Sequence, residues 1–250
     1  MPYIGQQPAP KVVTSSDLAD DVVTADKIGD TAISGFSALG ATPADTDELL
    51  VSDAGTLKRV DFSHLKGGGA FEHLITTQIS SDTANVIFNN TYITTTYVDY
   101  KIIISGLGPN VAGNNAKLQM NISSDNGSNF LTATNYNYGN QNERADGSER
   151  TQENQTDSSF KLNTDGIGED STGSFIIDIF DPLNVTSDRK YFQYCSRSIT
   201  RDGASGDTNS ATGGGMYKDG LTTPFDAIKL SLTAGSFDSG YFSLYGRKIS

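Results

Sequence analysis

The chain has 250 residues, a formal net charge of −12, 36% hydrophobic and 19% charged residues, and one cysteine, Cys195. That charge leaves no basic surface to neutralise phosphates, so nucleic acid and anionic membrane are excluded as expected partners, and an intrachain disulfide is excluded outright. No run of about 18 apolar residues suits a membrane span, and the opening MPYIGQQPAP lacks the basic and apolar regions of a signal peptide, so the expectation is a protein made and folded in a cytoplasm.

A triple glycine, Gly67 to Gly69, divides two kinds of sequence. Residues 1–35 read as an extended arm, 36–69 as a shaft with a hairpin and a glycine hinge, and 70–250 as an independent head. In the arm, Pro2, Pro8 and Pro10 stand beside Tyr3 and Ile4. Such a segment forms neither helix nor central strand and gains order only by lying on another surface. Tyr3, Ile4, Pro8 and Pro10 are its candidate anchors, and a frayed terminus is the plain alternative.

Leu18, Val23, Ile28 and Ile33 then recur every five residues. This matches neither the helical period of 3.6 nor the strand period of 2. An extended chain wound around identical copies would place every fifth side chain on a shared axis, which makes threefold closure attractive; the competing reading is a solvated linker. DELLVSDAGTLKRVDFSHL follows as a predicted hairpin, with Leu49 and Val51 in one arm, Leu57, Val60 and Phe62 in the other, and Asp53-Ala54-Gly55 turning between them. Ser63 is expected to open a short helical turn. Two strands alone are marginal, so Leu49, Val51, Leu57 and Phe62 join the four pentad positions as candidate packing residues between copies.

The head holds about ten predicted strands, the clearest being HLITTQI, DYKIIISGL, KLQMNISS, SSFKLNT, GSFIIDIFD, KYFQYCSRSI, DAIKLSLTA and GYFSLYGRKI. In FIIDIF, Phe175, Ile177 and Ile179 face one way; in AIKLSLTA, Ile228, Leu230 and Leu232 oppose Lys229 and Ser231. Short strands with turns at this spacing predict two packed sheets, a jelly-roll-like β-sandwich. Cys195 reads as an ordinary packing residue of its strand, and the last strand as one that seals a sheet edge.

The opening MPYIGQQPAP, the repeat DLADDVVTADKIGDTAI, the hairpin ELLVSDAGTLKRVDFSHL, and SSDNGSNF and YFSLYGRKIS in the head together resemble fibre proteins of tailed bacteriophages, particularly marine and cyanobacterial ones. The resemblance implies a homotrimeric virion protein assembled in the host cytoplasm. Its N-terminus would be fixed to a tail adaptor, a baseplate or the capsid, and its head would touch a host surface glycan or outer-membrane receptor. A tail fibre is the leading expectation and a capsid-bound head fibre or decoration protein the alternative.

Catalysis needs convergent titratable groups, and the sequence offers few. His64 and His73 are the only histidines and flank the glycines, with no metal-ligand spacing. Asp178 with Asp181, and Glu169 with Asp170, are explained as strand and turn residues. Asp125-Asn126-Gly127 lacks the distal ligands of a calcium loop and reads as a hairpin turn after KLQMNIS. The expectation is a binding protein without metal, cofactor or enzymatic activity. Its candidate receptor residues lie in two polar stretches read as loops: Tyr136, Tyr138, Arg144 and Arg150 in NYNYGNQNERADGSERTQENQTDSS, and Tyr217 after RDGASGDTNSATGGG, the glycines 213–215 flanking a strand entry. Rings there would meet sugar faces and guanidinium groups would meet carboxylates.

Overall fold

The computed structural model describes residues 37–65, 71–111, 116–168, 170–184, 193–201, 208–218 and 224–248, together with Val12, Thr14, Asp17 and Gly35. The proposed anchors Tyr3, Ile4, Pro8 and Pro10 and the pentad Leu18, Val23, Ile28 and Ile33 lie outside the described residues, as does the side chain of Leu57. The chain forms two units, Met1–Gly67 and Gly68–Ser250.

In the first unit, β1 (Glu48–Asp53) pairs antiparallel with β2 (Thr56–Asp61) from Glu48 opposite Asp61 to Asp53 opposite Thr56. Ala54 and Gly55 turn between them with φ of 49° and 85°, the doubly positive geometry that matches hairpin twist. A 3-10 turn over Phe62–His64 follows, starting one residue before the expected Ser63. The Phe62 N–H donates to Asp47 O at 2.7 Å and closes the hairpin base. Every residue of β1 is exposed, Leu50 at 73%, while Val60 and Phe62 are half-buried. Leu49, Leu50 and Val51 thus stand in solvent on both faces of a two-stranded ribbon, which is marginal by itself.

The second unit is all-β and antiparallel. Its strands are β3 (Glu72–Ile79), β4 (Asn85–Phe88), β5 (Asp99–Asn110), β6 (Leu118–Ser123), β7 (Tyr136–Arg144), β8 (Glu149–Asp157), β9 (Phe160–Lys161), β10 (Gly173–Phe180), β11 (Gln193–Arg201), β12 (Thr208–Tyr217), β13 (Ala227–Leu232) and β14 (Ser236–Arg247). Eight form one sheet in the order β3-β14-β5-β10-β11-β12-β7-β8, and four form a second in the order β4-β13-β6-β9. The last strand is therefore interior to its sheet, between β3 and β5, and seals no edge: the first strand of the unit covers it.

Alternation sends one face of each strand inward. Ile102, Ile104, Phe175, Ile177, Ile179, Phe242 and Leu244 from the large sheet and Phe88, Leu118, Met120, Ile122, Ile228 and Leu230 from the small one are buried in a single apolar cluster. The expected inward sets of β10 and β13 are those observed. Aromatic rings fill the end near β7: Phe160 lies 4.7 Å from Tyr136 and 4.6 Å from Tyr194, ring centre to ring centre.

Candidate functional site

The two polar stretches predicted as receptor loops are largely strands. NYNYGNQNER is β7, the segment after its turn is β8, and β12 runs from Thr208 to Tyr217 with the three glycines inside it. The tyrosines cannot present their rings: Tyr136, Tyr138 and Tyr217 are 0%, 3% and 2% exposed. The cause is the period of two, which turns residues 136, 138, 140 and 142 inward and leaves Asn137, Gly139, Gln141 and Glu143 outside. Tyr136 donates to Leu131 O at 2.9 Å and its ring stands 4.9 Å from Tyr217. Tyr138 donates to Asp157 Oδ2 at 2.8 Å. These residues are core, not receptor contacts.

Arg144 and Arg150 are brought together on one carboxylate. Arg150 Nη1 lies 2.8 Å from Asp165 Oδ1 and Arg144 Nε 3.6 Å from Asp165 Oδ2, while Asn142 Nδ2 donates to Oδ2 at 2.7 Å. Arg144 also donates to Asn209 Oδ1 at 3.3 Å. Asp165 thereby binds the segment after β9 to the β7–β8 hairpin, and both guanidinium groups are occupied in doing so.

The Asn126-Gly127 turn is also reassigned. It has two positive φ values, 63° and 80°, but β6 pairs with β13 and β9, so the turn carries the chain towards the other sheet and closes no hairpin. Asp125 organises it, accepting from Asn129 N at 2.8 Å, Asn129 Nδ2 at 2.7 Å and Ser123 Oγ at 2.7 Å. The Asn129 bonds, side chain first, hold this carboxyl below its usual range.

The outer face of the eight-stranded sheet is the better candidate. One cross-strand row reads Thr76, Ser243, Ile103, Ile176, Arg197, Thr212 and Gln141, and the next carries Tyr241, Ser105, Ser174, Ile199, Ser210 and Glu143. A groove of about 420 Å³ lies along them, with Ile103, Ile176 and Ile199 as its apolar floor and Ser105, Ser174, Ser210 and Thr212 as hydroxyl neighbours. Ile199 is 59% exposed, and Tyr241, Phe180 and Met216 are further exposed apolar side chains of this face. An open apolar strip with few charges is how a recognition surface is built.

Arg197 stands in the groove. On the adjoining row Lys101 is ion-paired with Asp178, and Cys195 Sγ lies 3.8 Å from Asp178 Oδ2. Cys195 is on this exposed face and not in the packed interior, because the odd positions of β11 face outward while Tyr194, Ser196, Ser198 and Thr200 are buried. Burial first, then the Asp178 carboxylate, raises the Cys195 thiol above its ordinary value, so it is no activated nucleophile. Sequence reasoning missed Arg197 because its segment read only as an apolar strand; the alternation Cys195, Arg197, Ile199 against Tyr194, Ser196, Ser198 was the available signal.

No protein-family model matches the chain, and neither a curated protein nor a solved structure matches it.

Proposed function

We propose that the protein is a homotrimeric tail fibre of a bacteriophage particle, anchored by its N-terminal arm and ending in a jelly-roll-like head that adheres to the host surface. The observation that carries this reading is the contrast between the two units. The head closes its own apolar core, whereas the hairpin leaves Leu49, Leu50 and Val51 in solvent. Ordering an arm costs roughly 1–2 kcal/mol per residue in backbone entropy, which exposed side chains offset only by burial against other chains. Three copies of the hairpin supply that burial, and three linked heads raise weak surface contacts to useful avidity.

In this reading the head binds and does not catalyse. The outer face of the eight-stranded sheet is its contact surface for a host glycan or outer-membrane receptor, and the arm docks on a tail adaptor or baseplate. Cryo-EM of the particle with labelled protein tests the placement: label at the tail is expected, and label on capsid protein alone would replace the tail fibre by a capsid-bound decoration protein. Purified full-length chain is expected to compete with particles for adsorption to host cells. Undiminished adsorption at saturating protein would remove the adhesive role.

A further inference from the structure

Arg197 is the one cation without a partner among the described side chains. Lys58, Arg59, Lys101, Arg144, Arg150, Lys161, Arg247 and Lys248 face carboxylates; Lys117 donates to Gln152, Lys218 to Gln155 O, and Lys229 lies over the Phe130 ring. In a chain of net charge −12, a solitary exposed guanidinium set among Ile103, Ile176 and Ile199 is a cation open to an incoming anion. We infer that this groove binds a carboxylate-bearing saccharide, with Arg197 as the specificity-determining residue. The inference rests on the adhesive reading above and names its ligand class.

The chemistry of the ligand follows from the lining. One guanidinium offers a planar fork that matches the two oxygens of one carboxylate and balances its single charge. The isoleucine floor suits the C–H face of a pyranose ring, and the hydroxyls of Ser105, Ser174, Ser210 and Thr212 suit its alternating donors and acceptors. A shallow groove on an open sheet face does not enclose an acyl chain. The orientation is set by charge: Glu143, Glu149 and Glu153 lie towards the β8 edge, and Ile103, Ser105 and Ser243 lie on the other side of Arg197. The carboxylate therefore sits over β10 and β11 with the rest of the saccharide extending towards β5 and β14, away from the acidic edge.

The test is calorimetric titration of the full-length chain with hexagalacturonate, its methyl ester, oligosialic acid and dextran sulfate. Binding of at least one carboxylated saccharide is expected. Arg197→Gln weakens it tenfold or more, Arg197→Lys retains part of it, and Arg150→Gln leaves it unchanged. The methyl ester binds the wild type no better than the acid binds Arg197→Gln. Unchanged thermal midpoints for these exposed-site variants confirm that the fold is intact. Equal binding of acid and ester, wild-type binding by Arg197→Gln, or no binding of either carboxylated probe would overturn the inference. Dextran sulfate bound as tightly and with the same dependence on Arg197 would overturn the carboxylate assignment. A fall in solution mass of Arg197→Gln without saccharide binding would make the face a joint between copies instead. Adsorption competition separates the two levels: competition that persists without saccharide binding sinks this inference alone, and its absence sinks the adhesive reading.

Discussion

Asn140 lies across Gly213. The two are register partners on β7 and β12, and a β-carbon on residue 213 would overlap the Asn140 amide oxygen, while Asn140 Nδ2 donates to Lys161 O at 2.6 Å. Gly215, one inward position along, is equally constrained, since its β-carbon would stand 2.8 Å from Tyr138 Cβ and 2.9 Å from Tyr194 Cε1. The glycines of β12 are thus the places where neighbouring side chains cross the strand. The buried row next to them is polar, with Ser196 opposite Gly213 and Ser198 opposite Ala211.

Gly213→Ala is therefore expected to destabilise the protein by about 1–3 kcal/mol through overpacking. In an Asn140→Ala background the nearest obstruction is gone but the Gly139 carbonyl oxygen still stands 2.8 Å from the added β-carbon, so the same substitution should cost less without becoming neutral. Denaturant midpoints of the four proteins in this cycle measure the coupling, and additive effects would show that Asn140 is not the obstacle.

A second expectation concerns Asp165. Replacing it by Asn removes the shared carboxylate from Arg144, whose side chain is only 16% exposed, and from Arg150, which is 57% exposed. The loss is expected at about 1–2 kcal/mol, because the mostly buried Arg144 then keeps only the Asp146 carboxylate, 3.9 Å from its Nη1. Arg150→Ala should cost less than about 1 kcal/mol, as exposed pairs do. Reversal of that order in chemical denaturation would contradict the assignment of Arg144 as the structural partner.

Alkaline stability carries a clear sign. Burial pushes the Tyr100 and Tyr136 hydroxyls up to about 12, and burial followed by the Asp157 charge raises Tyr138 further. In the unfolded chain these groups ionise near 10. Their contribution is fully present below about pH 10 and is lost as pH rises through the folded values, about 12 for Tyr100 and Tyr136 and higher for Tyr138. Phenolate absorbance should appear in two phases, surface tyrosines first and the buried ones together with loss of β-sheet circular dichroism. A single phase centred near pH 10 with the fold intact would refute the burial of these rings.

At the acid end Asp157 behaves oppositely. Its burial alone would raise the carboxyl, but the Tyr138 hydroxyl, the Lys161 ammonium and the Ser158 N–H outweigh that and hold it below its usual range. Its stabilisation is present above the unfolded value of about 3.9 and is lost as pH falls through the lower folded value. Asp157→Asn should flatten the fall in stability over this window, measured by denaturant midpoints from neutral pH downwards. An unchanged slope would remove Asp157 from the account.

The sequence made the apolar half of the head legible because Val, Ile, Leu and Phe recur there with a period of two, as in Phe175, Ile177 and Ile179. The β7, β8 and β12 region was not legible as strand, since its inward positions are Asn140, Asn142, Asn209, Ala211 and Gly213, residues that read as loop. Asn140 and Asn142 lie inward here with their amide NH2 groups donating to Lys161 O in β9 and to Asp165 in the segment after it, contacts that no local pattern records. The same long-range contacts decide the candidate site: Tyr136 and Tyr138 read as rings in a polar stretch, while their alternation with Asn137 and Gly139 marks them as core. Arg197 was hidden for the complementary reason, being a single charge in a strand that otherwise reads as apolar.

The hairpin gives the most exposed prediction of the fibre reading. Leu50→Asp changes a side chain that is 73% exposed in the single chain. An isolated hairpin would tolerate it without effect, whereas a hairpin packed between copies should dissociate, with the head's near-ultraviolet circular dichroism unchanged. Size-exclusion chromatography of the variant against the wild type distinguishes these outcomes.

The central claim is that three copies cover the apolar surface of the first unit, and the most direct measurement is the mass of the full-length chain in solution by light scattering. One chain is 26.6 kDa. The account predicts three times that, about 80 kDa, persisting on dilution; a mass of one chain at all concentrations would contradict it.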